Sequence, residues 1–339
     1  MVREVSNPPS RFETHHIEYD DAPLAQLEIY EDHSESILTK NTSPDVPFTW
    51  SVNPYRGCFH ACTYCYARPT HEYLGFGAGT DFERKIVVKR DAPGLLETAL
   101  MRRSWRGQRI CFSGNTDCYQ PVERKLALTR ACLEVCLRFR NPVGIITKSA
   151  LIRRDLELLR ALHEAAGVAV VLSIPFIDPV HAQAVEPNAP PPSARLATVR
   201  ALAEAGVPVG ISLGPVIPGL NDAQIPRILE AAKAAGAGWC GMIPVRLPGP
   251  VEQVFVSRLK EALPAEADKV LNRLRRMRGG ALTESRFGAR MSGQGEEWAA
   301  TVRMYKLCAK RMGFGQPPPA PHPTPFRVPG QGAQVDLFS

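Results

Sequence analysis

Three cysteines in one short stretch are the residues whose chemistry is most directly readable. Within NPYRGCFHACTYCYARP, residues 53–69, Cys58, Cys62 and Cys65 form a C-x3-C-x2-C pattern. Three thiolates can hold three irons of a [4Fe–4S] cluster, which leaves the fourth iron open to another ligand. Gly57 and the short spacings suit a backbone that wraps closely around such a group. Zinc is the competing reading, with His60 or His71 as a fourth donor, although the usual zinc pattern carries a second paired set of ligands. The remaining cysteines are scattered. Cys132 and Cys136 lie four apart on a periodic helix and should face the core, while Cys111 and Cys240 fall in strands and Cys308 in the last helix.

A loop of this kind needs a rigid frame, and the surrounding pattern supplies one. Apolar, β-rich segments at about 47–53, 108–113, 142–148, 168–175, 207–213 and 238–245 read as strands. Helical periodicity fills the intervals at 91–104, 121–138, 152–166, 193–205 and 221–235. Alternating strands and helices imply a parallel sheet with right-handed crossovers. Six such units suit a partial, TIM-like (β/α)6 barrel over residues 47–250, with a doubly wound sheet as the alternative. Residues 1–46 are acidic and weakly periodic, so an irregular extension is expected there. Helices alone follow over 251–312, and 313–339 is too rich in Pro and Gly to pack, which predicts a disordered tail.

Composition bounds the function. The chain has 339 residues, 44% of them apolar, nine cysteines and a net charge of +7. No apolar run approaches the ~20 residues that span a bilayer, and the first residues lack the apolar stretch of a secretory signal. These features point to a cytoplasmic protein whose thiols serve metal or chemistry. Residues 1–47 carry ten acidic and three basic side chains, whereas 251–312 carry seven and thirteen. The densest basic spot is Arg273, Arg275, Arg276 and Arg278. It is either a phosphate-attracting face or a solvated helix surface.

The C-x3-C-x2-C motif, with the aromatic Tyr64 before its last cysteine, resembles the signature of the radical S-adenosylmethionine (SAM) superfamily. CTYCYAR, GNTDCYQPVE at 114–123, ITKS at 146–149, LSIPF at 172–176 and RGGALTESRFGARM at 278–291 look like its spore photoproduct lyase and DNA repair photolyase branch. NPPSRFE near the N-terminus is similar to one bacterial subgroup of that branch. The resemblance covers most of residues 48–312. It implies a radical SAM barrel whose [4Fe–4S] cluster is held by Cys58, Cys62 and Cys65 and whose open iron chelates SAM. It also implies an electron donor such as flavodoxin or ferredoxin. Lys148 and Ser173, at adjacent strand ends, would contact the SAM carboxylate, a pairing that charge-assisted bonds allow. Asn115 and Thr116 join them as cofactor contacts. Asp117 and Glu123 either bind substrate or cap the following helix.

Spore photoproduct lyase returns a hydrogen atom from a cysteine at the position of Gly114 or Asn115 here, so that donor is missing. Cys118 is the candidate replacement, or else a buried small hydrophobe. Tyr64 and Tyr66 either relay a radical or pack around the cluster. The resulting expectation is a radical SAM, lyase-like enzyme acting on a damaged or modified base in nucleic acid. A peptide or small-molecule substrate, or a non-catalytic metal-binding adaptor, are the alternatives. The last residues, QVDLF, resemble the peptide by which DNA-processing proteins bind the sliding clamp, with Gln334, Leu337 and Phe338 as anchors.

Overall fold

Each interval of apolar, β-rich sequence forms a strand, and additional strands appear before and between them. The structure is a computed structural model that describes residues 3–15, 17 and 19–330. Its strands are β1 (Glu28–Glu31), β2 (Leu38–Lys40), β3 (Trp50–Val52), β4 (Tyr55–Arg56), β5 (Lys85–Val88), β6 (Ile110–Phe112), β7 (Val143–Thr147), β8 (Val168–Ser173), β9 (Val209–Val216) and β10 (Cys240–Pro244). Its helices are α1 (Thr80–Arg84), α2 (Ala92–Met101), α3 (Glu123–Leu126), α4 (Leu128–Arg138), α5 (Leu156–Ala166), α6 (Pro179–Val185), α7 (Pro192–Glu204), α8 (Ile225–Ala234), α9 (Pro250–Ala262), α10 (Pro264–Met277) and α11 (Glu296–Arg311).

The large sheet runs in the order β10-β9-β8-β7-β6-β3-β2. All neighbours from β3 to β10 are parallel, and β2 pairs antiparallel to β3 at the edge. The order of the parallel strands never reverses, which a doubly wound sheet requires. With right-handed crossovers throughout, every helix then covers the same face and the sheet curls around the other. This is the six-unit partial barrel. Val143 and Ile145, Val168, Val170 and Leu172, and Val209, Ile211 and Leu213 all join the core cluster under the helices. Strand alternation therefore turns Gly144, Ala169, Gly210 and Ser212 toward the concave side. Small residues keep that interior open, except at its floor. A Cβ at Gly210 would come within 2.3 Å of the Trp239 indole, so glycine there lets the tryptophan fill the lower barrel.

Two sequence expectations change. The N-terminal stretch is not simply irregular: β1 pairs with β5 in a small sheet ordered β1-β5-β4, and β2 extends the barrel sheet. Ser6 and Asn7 accept or donate hydrogen bonds to Thr80, Gly79 and Asp81. Short strands of this kind lack the run length that periodicity needs. Over residues 313–330 the chain is extended, as its prolines demand, yet it packs. Gly315 N–H donates to Gly238 at 2.9 Å, and Arg109 donates to the carbonyls of Pro318 and Pro319 at 3.1 and 2.7 Å. Thr324 donates to Gly107 at 3.0 Å, Arg327 N–H to Phe139 at 2.9 Å, and Phe326 stacks on Phe139 at 6.3 Å. The strap crosses the N-terminal ends of the strands, because a proline-rich segment needs few N–H partners of its own and its carbonyls accept from the barrel.

The half-buried Phe326 ring makes the strap part of the core. Phe326→Ala should lower stability by about 1–2 kcal/mol in urea unfolding, roughly half the usual cost for a fully buried ring. An unchanged midpoint would show that the strap adds nothing to the fold.

Candidate active site

The cysteine loop leaves β4 and is fixed from several sides. Cys58 N–H donates to Phe82 at 2.9 Å, and Thr63 N–H to Val185 at 2.9 Å. Gln120 donates to the Gly57 carbonyl and accepts from Phe59 N–H, both at 3.0 Å. Gly57 has φ +74°, and a Cβ there would meet the Lys85 carbonyl at 2.9 Å and the Phe82 carbonyl at 3.0 Å. Arg68, wholly buried, spreads its guanidinium over the carbonyls of Cys62 (2.9 Å), Ala61 (3.3 Å), Ala78 (3.0 Å) and Gly79 (2.9 Å), and pairs with Glu83 at 2.7 Å.

Burial pushes all three thiols up, Cys62 to about 12, and proximity of the thiols adds to this at Cys58 and Cys62. Three mutually interacting thiols on one loop, with Lys148 acting on Cys62 and Cys65, are a donor set suited to a cluster. Metal binding would deprotonate them. The imidazoles that could complete a zinc site each have one nitrogen engaged, while His71 Nδ1 is buried without a hydrogen-bond partner. His60 Nδ1 faces Asp117 at 3.4 Å, and His71 Nε2 meets the Lys85 carbonyl at 2.9 Å.

Lys148 and Ser173 fall at the ends of adjacent strands. Thr147 is in register with Leu172, so the next row sets Lys148 beside Ser173 at the C-terminal ends of β7 and β8. Lys148 Nζ is 3.9 Å from Glu186 and 5.7 Å from the Tyr64 ring centroid. Burial pulls the Lys148 pKa down, but the Cys62 thiol and Glu186 outweigh it and leave the amine raised. Glu186, fully buried, also binds the Tyr64 hydroxyl and Arg195. Burial pushes its carboxyl up, and Arg195 and Lys148 together hold it below its usual range. Lys148 and Arg195 thus bracket Glu186 beside the cysteines, and the Asp117 carboxylate also acts on Lys148, so the buried charges of the site nearly balance.

The other candidates separate. Asp117 accepts from Thr147 Oγ1 at 2.6 Å, Lys148 N–H at 2.8 Å and Tyr119 N–H at 2.9 Å, so it ties the loop after β6 to the end of β7. Burial raises its carboxyl, yet His60 and these donors hold it down at about 2. Glu123 caps α4 through Thr129 N–H at 2.9 Å and pairs with Arg154 at 2.8 Å. Thr116 donates to the Tyr55 carbonyl at 2.6 Å, and Asn115 N–H to Asn53 at 2.8 Å. Cys118 is 1% exposed within the core cluster, and burial pushes its thiol well up. Tyr64 is buried with its hydroxyl on Glu186, whereas Tyr66 is 46% exposed and donates to the Gly114 carbonyl at 3.0 Å.

Sequence reasoning missed Arg68, Glu186 and Arg195. Arg68 stands in the quoted motif, but nothing in its spacing reveals which carbonyls it meets; Glu186 and Arg195 lie more than 120 residues from Tyr64. The arginine spot on α10 disperses around the helix. Arg273 pairs with Asp222 at 3.1 Å, Arg276 with Glu297 at 3.1 Å, and Arg275 donates to Asn272 at 3.1 Å. It is a paired helix surface.

A parallel partial barrel with a cysteine loop and a lysine at its C-terminal mouth defines a class, and comparison supplies the family. Residues 52–232, more than half of the chain, match the family model for the Radical SAM superfamily. The chain belongs to that superfamily, whose members use a [4Fe–4S] cluster and SAM. An uncharacterized protein of Mycobacterium tuberculosis is 38% identical over 221 residues, 65% of this chain and 65% of its own length. An uncharacterized protein of Methanocaldococcus jannaschii is 30% identical over 173 residues, 51% and 62% of the two chains. The chain thus spans less than two thirds of the length of these relatives. Spore photoproduct lyase complexed with dinucleoside spore photoproduct superposes with a TM-score of 0.59 at 15% identity, over 84% of this chain and 78% of that one. At that identity the likeness is one of fold. Among the described residues no helix is long and apolar enough to cross a membrane.

Glu186 compensates two cations at once. Glu186→Ala should destabilise the protein by about 3–5 kcal/mol, because it strands buried positive charge. A loss below 1 kcal/mol in chemical unfolding would show that Lys148 and Arg195 are solvated and the network is not a dry one.

Proposed function

We propose that the chain is an enzyme that binds a [4Fe–4S] cluster through Cys58, Cys62 and Cys65, binds SAM beside it, and acts on a base in nucleic acid. The observation that carries the cofactor reading is the place of Lys148, 3.9 Å from Glu186 and one row beyond the Thr147–Leu172 pair, which sets it beside Ser173 at the strand ends. When bound and reduced, the cluster supplies one electron that cleaves SAM to methionine and a 5′-deoxyadenosyl radical. The chain's own residues do the rest. Lys148 and Ser173 would hold the SAM carboxylate, with Asn115 and Thr116 nearby on the loop after β6. Arg68 and Gln120 keep the cysteine loop in one shape. The strap and Trp239 close the barrel floor, so the cofactor and substrate enter from the strands' C-terminal ends.

The nucleic-acid substrate draws support from the motifs shared with the spore photoproduct lyase branch and from the dinucleoside spore photoproduct bound to that enzyme in the matching fold. Cys118, Tyr64 and Tyr66 are the groups proposed to return the hydrogen atom, and of these Tyr66 alone is substantially exposed. A cytoplasmic site and a flavodoxin or ferredoxin as reductant belong to the same proposal.

Anaerobically loaded protein given SAM and dithionite should form 5′-deoxyadenosine, with a higher yield when ultraviolet-irradiated DNA is present. Cys62→Ala should abolish both iron retention and cleavage. Equal yields with and without DNA would overturn the substrate reading, and no cleavage from protein of full iron content would favour the adaptor. The clamp peptide, Gln334, Leu337 and Phe338, lies outside the described residues. Deleting 334–339 should abolish sliding-clamp association in a pull-down; retained binding would remove clamp docking from the proposal.

A further inference from the structure

Arg246 lies just past the end of β10, at the mouth of the barrel. Its guanidinium carbon sits 5.3 Å from the centroid of the Tyr66 ring. Tyr66 directly follows Cys65, and its hydroxyl reaches the Gly114 carbonyl after β6. The stacked pair therefore spans the mouth from β10 to the loop of β6, above the cysteine loop.

The neighbouring arginines are spoken for. Arg278 donates to the carbonyls of Val245 at 2.9 Å, Arg290 at 3.2 Å and Ala289 at 3.4 Å. Arg290 takes Asp45 and Ser43, and Asp45 also accepts from Gly288 N–H at 2.8 Å. Among the described residues, Arg246 has no hydrogen-bond or ion-pair partner beyond the Tyr66 ring. Burial lowers its pKa and Arg290 adds to the effect, while Tyr66 and the Asp45 carboxylate, which is held by Arg290 and Gly288, oppose it. A half-buried guanidinium that no protein acceptor fills is partly desolvated already, and its planar fork fits two oxygens of one phosphate. Close by, Phe287 is 62% exposed with the Arg290 guanidinium 4.3 Å from its centroid. Partly exposed aromatic rings, each with a guanidinium over one face, are a combination that takes bases and backbone of a single strand together. Lys148 lies deeper, where it serves the cofactor carboxylate, so Arg246 remains for a second anion at the rim.

We propose that Arg246, held on the Tyr66 ring, anchors a phosphate of the nucleic-acid strand whose base enters the barrel. The inference rests on the nucleic-acid reading above and names the group that recognises the strand.

The test is binding of a fluorescein-labelled single-stranded DNA oligonucleotide to the cluster-loaded full chain, without reductant, across a salt series. Arg246→Gln should weaken binding about tenfold, as loss of a charge-assisted contact does. It should also lower the slope of log Kd against log salt by about 0.7, the value for one phosphate contact on a single strand. Arg246→Lys should restore the slope and only part of the affinity, because it keeps the charge and loses the fork. Iron content and the Kd for SAM establish that each variant is folded. An unchanged slope and affinity in Arg246→Gln would overturn the anchor and leave the nucleic-acid reading standing. No salt-dependent binding by the unaltered protein would overturn both. Thymidine monophosphate competing as strongly as the oligonucleotide, with the same dependence on Arg246, would support a phosphate anchor and overturn a polynucleotide as its source.

Discussion

A single buried guanidinium sets the shape of the loop on which the chemistry depends. Arg68 has no exposed surface, and its donors meet backbone carbonyls at 61, 62, 78 and 79 together with the Glu83 carboxylate. A loop that must wrap a cluster cannot satisfy its own carbonyls through helix or sheet pairing, and each one left bare in the interior would be costly. Arginine solves this with five donors in a fixed plane and a charge that burial does not remove. Glu83 balances that charge. The cysteines are thus positioned by an interaction that involves none of their sulfur atoms.

The topology decides where this loop looks. Because the parallel strands follow one another without reversal, all their C-terminal ends open on one side, where the segments that follow β3, β6, β7, β8 and β10 carry Cys58, Asp117, Lys148, Ser173 and Arg246. The opposite side is closed by Trp239 and the strap. The open edge of the partial barrel is crossed by Asp45 of the N-terminal segment, which binds Arg290 and Gly288 from the C-terminal one. Both termini therefore contribute to the frame of the site, although neither carries its chemistry.

Electrostatic layout follows from the same arrangement. Inside, Lys148 and Arg195 share Glu186, and Asp117 also acts on Lys148, so cations and carboxylates nearly balance next to the thiols. At the rim, Arg246 stands on Tyr66 with its donors directed at no protein acceptor among the described residues. Of the α10 arginines, Arg273 and Arg276 are paired with acids of neighbouring elements while Arg275 donates to Asn272, and surface pairs of that kind are weak and screened.

The sequence by itself determined the cysteine triad, the alternation of strands and helices, and the positions of Lys148 and Ser173 at strand ends. These are local properties: spacing along a loop, and period along a strand or helix, are set by residues within one or two turns of each other. Cys132 and Cys136 were assignable to the core for the same reason. Only the tertiary structure decided which charges meet. Glu186 reaches Tyr64 across 122 residues, and Arg290 reaches Asp45 across 245. The strap shows the same limit, because prolines and glycines announce extended backbone but not the carbonyl and N–H groups waiting for it on the barrel. Pairing of charges and capping of backbone groups depend on which chain segments burial brings together, and no period in the sequence encodes that.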